Sequence, residues 1–204
     1  MYKKHIKRLL DIILSSVLII VTLPFMIIIG ILVLIDVGRP IFFVQERPGK
    51  DERIFKLIKF RTMKNVEGKK DVKHDELRVT KLGHFLRNLS LDEIPEIYNI
   101  LLGSMSFVGP RPLLKDYLFR YNDYQKTRHQ VKPGLTGLAQ VNGRDGLSWE
   151  ERFHYDVYYV NNYNFLLDLK IVFKTLIIVL KRKGVQPKDK YSMDYFEGNN
   201  HEKD

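Results

Sequence analysis

Two adjacent carboxylates, Asp92 and Glu93, are the residues of this chain best suited to covalent chemistry, and they sit in the stretch Arg87-Asn88-Leu89-Ser90-Leu91-Asp92-Glu93-Ile94-Pro95-Glu96. The stretch reads as a helix start. Ser90 and Glu93 have the S-x-x-E spacing of a capping box, in which a hydroxyl and a carboxylate satisfy orphan backbone N–H groups reciprocally. Pro95 moves the expected start toward Asp92, because a proline is tolerated only in the first turn. In either register the helix dipole depresses both carboxyl pKa values and keeps a potential carboxylate nucleophile ionised. The competing reading is a plain helix cap, since acidic residues in a first turn are explained by the dipole alone.

Cationic and polar side chains recur around this pair. Arg87 closes an expected helix over Arg78 to Leu89, with Leu82, Phe85, Leu86 and Leu89 on one face. Arg111 lies between Pro110 and Pro112, so its backbone has little freedom and its guanidinium is aimed before a ligand arrives; an extended linker is the alternative. Lys132 to Gly146 carries four glycines with Gln140 and Arg144, which lets backbone amides approach an anion. It matches neither a Walker A loop nor a G-x-G-x-x-G fingerprint. Asp156 stands among Phe153, Tyr155, Tyr158 and Tyr159 on an expected helix from Trp149 to Val160, where a buried carboxylate requires a partner such as arginine. Lys59 falls on the second strand of an expected hairpin, Ile41 to Gln45 and Ile54 to Phe60, turning at Pro48-Gly49-Lys50-Asp51.

The elements that must position these residues belong to one domain with an appendage, the natural partition of 204 residues. Lys and Arg number 34 against 24 Asp and Glu, a net charge of +10 that implies a polyanionic neighbour: phospholipid, nucleic acid or phosphate-bearing small molecules. The absence of cysteine excludes disulfides, Cys-based zinc sites and thiol catalysis. Ile12 to Ile35 is uncharged and long enough to cross a bilayer, and no A-x-A cleavage site follows it. Lys3, Lys4, Lys7 and Arg8 precede this run and Arg39, Arg47, Lys50 and Arg53 follow it, placing both ends on the cytoplasmic side. Pro24 removes the hydrogen bond to the Ile20 carbonyl. These features favour a re-entrant helix–break–helix hairpin, with Thr22 serving the freed carbonyls, over the single spanning helix that hydropathy alone suggests.

Further along, Asn65 to Leu77 reads as an exposed loop and Lys115 to Val131 as a polar helix. Phe165 to Leu180 fits an amphipathic helix in the membrane interface, with Leu166, Leu169, Phe173, Leu176, Ile177 and Leu180 on its apolar side; a buried core helix has the same periodicity. The expected fold is α+β and mostly helical, with an N-terminal re-entrant (broken) membrane helix, a small β-hairpin and interfacial amphipathic helices. Its divisions are a membrane-embedded hairpin over 1–40, a cytosolic catalytic domain lying on the membrane over 41–187, and a loose polar tail over 188–204.

Behind the broken hydrophobic N-terminus come Arg47-Pro48-Gly49, Lys59-Phe60-Arg61-Thr62-Met63, Leu89-Ser90-Leu91-Asp92-Glu93, Phe107-Val108-Gly109-Pro110-Arg111-Pro112 and Lys132-Pro133-Gly134-Leu135-Thr136-Gly137. In this order they resemble the bacterial sugar transferases, specifically the small monotopic polyprenyl-phosphate phosphoglycosyl transferases, nearly end to end. The resemblance implies transfer of a phospho-sugar from a UDP-sugar to undecaprenyl phosphate with release of UMP, at the cytosolic face of the bacterial inner membrane. Asp92 matches the family's nucleophile, which forms an acyl-phosphate intermediate, and Glu93 its dyad partner at Mg²⁺. Lys59, Arg87, Arg111, Arg144 and Asp156 are implied members of the anionic site, with Gln140 toward the nucleotide. Downstream glycosyltransferases would take the product. One departure is Leu23-Pro24, where the family often has Ser-Pro. The rival reading is a membrane-tethered basic binding or scaffold protein without turnover. Nucleic acid is not an expected partner, because the arginines sit singly in constrained loops and no helix-turn-helix or RNP-like motif occurs.

Overall fold

The computed structural model describes residues 1–64, 78–143, 146–180 and 195–198. One turn of π-helix, Tyr2–Ile6, runs into α1, Lys7–Asp36. Tyr2–Asp36 together are long enough to cross a membrane, and the most apolar 18-residue stretch within them has a mean hydropathy of 3.2.

The break expected at Pro24 does not occur: α1 is one helical run through it. A proline loses its own bond to the carbonyl four residues back and crowds that carbonyl, which bends a helix without having to interrupt it, and α1 runs on across Pro24. Thr22 does not serve the Ile20 carbonyl either; its hydroxyl donates to the Leu18 carbonyl at 2.7 Å. What steadies the run is a stripe of buried residues at helical spacing, Asp11, Ser15, Met26, Ile29 and Val33. Near the start, Asp11 accepts from the Ser106 hydroxyl and the Phe107 amide, both at 3.1 Å. Near the end, Met26, Ile29 and Val33 cluster with Phe60 and Leu86. Both ends of α1 therefore rest on the same globular body. Its other faces expose Ile13, Ile20, Phe25, Ile31 and Ile35, a surface suited to lipid.

Strands β1 (Phe42–Pro48) and β2 (Ile54–Phe60) form the expected antiparallel hairpin, with Phe43 opposite Lys59. The other edge of β2 is covered by a side chain acting as a strand would: Asn99 donates to the Lys56 carbonyl at 2.8 Å and accepts from the Ile58 amide at 3.2 Å. Asn99 belongs to α3 (Glu96–Leu102), which follows α2 (Lys81–Asn88). Gly103 ends α3 at φ 91°, the left-handed cap expected there. Arg8 completes the cap by donating to the Ile100 and Leu101 carbonyls at 2.6 and 2.7 Å.

A parallel pair, β3 (Ser106–Val108) and β4 (Gly134–Thr136), brings the two glycine- and proline-rich motifs together. The Gly109 amide donates to the Thr136 carbonyl at 2.9 Å and the Gly134 amide to the Pro110 carbonyl at 3.0 Å. A methyl group on Gly109 would collide with the Lys132 carbonyl and the Gly134 amide. Gly109→Ala is therefore expected to cost roughly 1–3 kcal/mol, read as a lowered melting temperature in detergent; an unchanged melt would show that the strands can part at no cost.

The polar helix expected over Lys115 to Val131 is three short pieces instead: 3₁₀ turns over Lys115–Arg120 and Thr127–Gln130 flank α4 (Asp123–Lys126). Asn122 and Gln125 cap one another reciprocally and restart the helix mid-segment. Beyond α5 (Leu138–Asn142), α6 (Trp149–Asn162) opens with a capping box between Ser148 and Glu151. The last helix among the described residues, α7 (Phe165–Leu180), has the expected bounds, and Leu166, Phe173, Leu176 and Leu180 are exposed, which excludes a buried core helix. Asp168 ties α7 to α6 and to the N-terminus, accepting from the Tyr159 hydroxyl at 2.7 Å, Lys7 at 2.6 Å and the Tyr2 hydroxyl.

Within the tail expected to be loose, the described stretch 195–198 is packed. Phe196 is buried in a cluster with Tyr117, Tyr121 and Phe153, and Arg120 donates to its carbonyl at 2.7 Å. Two adjacent aromatic residues supply enough apolar area to dock an otherwise polar segment. The loop expected at Asn65 to Leu77 lies outside the described residues.

Candidate active site

Lys59 comes from β2, the acidic pair from the link between α2 and α3, and Arg111 from the exit of β3 through Gly109-Pro110. Ser90 adopts a left-handed φ of 55°, which costs a non-glycine residue conformational energy, and Leu91–Glu93 makes one 3₁₀ turn ahead of Pro95. The capping box expected between Ser90 and Glu93 is absent, because cations claim the glutamate. Its Oε1 accepts from both Lys59 Nζ and Arg111 Nη2 at 2.6 Å. Lys59 also reaches Glu96 Oε1 at 3.1 Å.

The two carboxyls, expected to be depressed together, are driven apart. Burial pushes Glu93 up, but Arg111 and Lys59 outweigh it and hold the carboxyl well below the usual range. Asp92 is raised, first by burial and then by the negative charge of Glu93, against the pull of Lys59, Arg87 and Arg111. A 3₁₀ turn before a seven-residue helix gives the dipole little leverage, so direct charge and burial decide. Asp92 makes no hydrogen bond or ion pair among the described residues.

Glu96 was not anticipated, although its spacing of three from Glu93 puts both on one helical face. Burial, only partly opposed by Lys59, pushes its carboxyl up to about 7. The shift contributes stability that is complete below the ordinary value of 4.5 and is lost as pH rises through about 7. Glu96→Gln, which cannot ionise, is expected to melt above wild type at about pH 8.5 and to converge with it near about pH 5; parallel melting curves at the two pH values would contradict this.

A cavity of about 480 Å³ opens beside the pair. Arg87, Ser90, Glu93 and Arg111 are among its polar lining residues, and Leu18 of α1 and Val172, Leu176 and Val179 of α7 among its apolar ones. Asp92 is not among the lining residues. Arg87 donates to the Thr62 hydroxyl at 2.8 Å. Gln140 also lines the cavity; it donates to the Leu135 carbonyl at 3.1 Å, and its Oε1 is buried with no partner among the described residues.

Asp156 reaches the cavity wall but acts at one remove. Its Oδ2 accepts from Arg128 Nε at 3.0 Å and Nη2 at 2.8 Å, and that same Nη2 donates to the Arg111 carbonyl at 2.6 Å. The arginine partner expected for Asp156 is thus Arg128, whose position in an apparently polar helix carried no signal of burial. Arg144 lies outside the described residues, and Pro24 is an exposed position on α1.

Among the described residues no group of three or more His, Cys, Asp or Glu could hold a metal ion. Magnesium needs less from a protein, binding through one or two carboxylates with water and substrate phosphate completing its shell. The Asp92 carboxylate and Glu93 Oε2, the oxygen not taken by Lys59 and Arg111, are hard donors of that kind. The pair therefore fits Mg²⁺ as a site completed by substrate.

A helix long and apolar enough for a membrane, an acidic pair among three cations and a largely apolar cavity beside them suit a protein that handles an anionic substrate at a membrane. The chain belongs to the bacterial sugar transferase family, which it matches over residues 2–182. It is 44% identical over 194 residues to the uncharacterized sugar transferase EpsL of Bacillus subtilis (strain 168), covering 95% of this chain and 96% of that one. It is 41% identical over 181 residues to the UDP-glucose:undecaprenyl-phosphate glucose-1-phosphate transferase of Klebsiella pneumoniae, covering 83% of this chain and 39% of that one. It is 37% identical over 199 residues to the undecaprenyl-phosphate galactose phosphotransferase of Salmonella typhimurium, covering 89% and 42%. The chain thus spans about two fifths of the relatives whose names state a reaction, and nearly all of EpsL.

Proposed function

We propose that this protein transfers a sugar 1-phosphate from a UDP-sugar to undecaprenyl or a similar polyprenyl phosphate, as the first membrane step of a bacterial glycan. The observation that carries the reading is the arrangement of Asp92 and Glu93 with Lys59, Arg87 and Arg111 beside a cavity walled by α1 and α7. Cations at one end suit phosphate and aliphatic side chains at the other suit a prenyl chain.

Asp92 is the better nucleophile of the two. Glu93 is neutralised by two direct ion pairs, whereas the raised Asp92 carboxylate keeps more basicity. An Asp92 oxygen attacks the sugar-linked phosphorus, the bond from that phosphorus to the bridging oxygen breaks, and UMP leaves with the electron pair. An oxygen of the lipid phosphate then attacks the same phosphorus and expels Asp92, giving the polyprenyl diphosphate sugar. Arg87 and Arg111 offset the charge that accumulates, and Arg128 holds the Arg111 backbone in place. Mg²⁺, held by Asp92 and Glu93, would supply further charge neutralisation at the diphosphate. That both ends of α1 rest on one body supports a reading in which the protein sits on one leaflet, and the basic residues flanking α1 favour the cytosolic one.

The test is product analysis with detergent-purified protein, Mg²⁺, a panel of UDP-sugars and a short-chain prenyl phosphate. UMP and prenyl diphosphate sugar are expected in equal amounts. Release of UDP would instead mean transfer of the bare sugar and would exclude the reading.

A further inference from the structure

Where the start of α1 meets the end of α3, two cations crowd one small space. Gly103 has no side chain, and Arg8 Nη2 and Lys132 Nζ lie 3.0 and 3.4 Å from the point that a methyl group there would occupy. Arg8 gives two N–H groups to the Ile100 and Leu101 carbonyls, so its place is accounted for by the cap of α3. Lys132 has no such account: it makes no hydrogen bond or ion pair among the described residues. Burial, and next the charge of Arg8, push its ammonium down, and Lys50 adds to the effect. Asp11 pulls the other way, but its carboxylate is already engaged by the Ser106 hydroxyl and the Phe107 amide. A half-buried ammonium held beside a guanidinium is costly until an anion joins them.

The position suits a lipid headgroup. Arg8 stands four residues ahead of Ile12, where the uncharged run begins, which is about 6 Å along a helix. A headgroup layer is roughly 5–8 Å deep on each side of the hydrocarbon. Leu9, next to Arg8, and Leu102, next to a carbonyl that Arg8 binds, are both exposed and offer apolar surface to acyl chains. Lys4, exposed and four residues ahead of Arg8, adds a third cation toward the water. A free phosphate ion would have no use for the two leucines.

We infer that Arg8 and Lys132 bind the phosphate of an anionic phospholipid, from the leaflet that holds α1, in the open space beside Gly103. This site is at the far end of α3 from the acidic pair and does not depend on the transfer reaction proposed above. The elements it joins nevertheless reach the active site. Arg8 holds the end of the helix that starts with Glu96, and Lys132 leads into β4, whose Leu135 and Thr136 line the larger cavity. A bound headgroup therefore braces both elements.

Melting temperature in neutral detergent, with short-chain phosphatidylglycerol or phosphatidylcholine titrated into the micelles, tests this. Phosphatidylglycerol is expected to raise the wild-type melt saturably, and phosphatidylcholine and inorganic phosphate much less. Lys132→Gln should raise the apparent dissociation constant for phosphatidylglycerol by about fivefold or more, the effect of losing one basic residue at an anionic surface, and Lys132→Arg should keep the wild-type value. Lys115→Gln removes the same charge from an exposed pair with Glu46 and should change nothing. Without lipid the sign differs: Lys132→Gln relieves the crowding against Arg8 and should melt no lower than wild type, whereas loss of a purely structural lysine would lower the melt. Arg111→Gln separates this site from the larger cavity, and its phosphatidylglycerol response should match wild type. The inference is overturned by a wild-type protein that ignores phosphatidylglycerol, or that responds equally to phosphatidylcholine or to inorganic phosphate. It is overturned as well by a response lost in Arg111→Gln, and by a Lys132→Gln protein that melts lower without lipid or binds lipid as wild type does.

Discussion

Asp92→Asn is expected to lower UMP release by about 10⁴-fold or more, the scale of losing a covalent nucleophile, with the fold intact. Asparagine keeps the size of the side chain, and Asp92 makes no hydrogen bond or ion pair among the described residues that the change would break. The loss would therefore lie in chemistry. Glu93→Gln should behave differently. It weakens two 2.6 Å ion pairs and lets Lys59 and Arg111 drift, so turnover should fall by about 10²–10³-fold, as for removal of one electrostatic contribution, with the covalent step still detectable. Initial rates with each variant check this, and a reversed ranking would make Glu93 the nucleophile.

The second large effect is on stability. Asp156→Ala leaves the Arg128 guanidinium buried and without its counter-charge, which costs roughly 3–5 kcal/mol for a pair this deep. The two side chains are 3% and 2% exposed, so solvent cannot take over. The Arg111 carbonyl loses a steady donor at the same time. The expected result is a large fall in melting temperature with a kcat loss at low temperature, while Asp156→Asn, which can still accept from Arg128, is milder in both. An unchanged melt with a raised KM would mean that Asp156 touches substrate directly.

The same short pattern shows how far local sequence carries. S-x-x-E occurs at Ser90/Glu93 and at Ser148/Glu151, and only the second closes a capping box. The difference is tertiary: Lys59 and Arg111 arrive from elements 34 and 18 residues away and take Glu93. Elements ruled by local periodicity, such as the hairpin, α6 and α7, were legible for the same reason that they form. The unbroken α1 was not, since the contacts of Asp11 with β3 and of Val33 with the core are long-range. Lys59, Arg87, Arg111 and the acidic pair could be grouped from motif order, and the structure brings these side chains together. Glu96, Arg128 and Phe196 were not legible, because their roles depend on burial that a polar-looking segment conceals.

The central claim is that Asp92 carries the sugar phosphate. Intact-mass spectrometry of detergent-purified protein, mixed with Mg²⁺ and a panel of UDP-sugars in the absence of prenyl phosphate, tests it most directly. The account predicts a mass increase of one sugar phosphate that survives in Glu93→Gln, vanishes in Asp92→Asn and is discharged by prenyl phosphate. UMP release at a normal rate with no adduct from any donor, or an adduct that persists in Asp92→Asn, would contradict it.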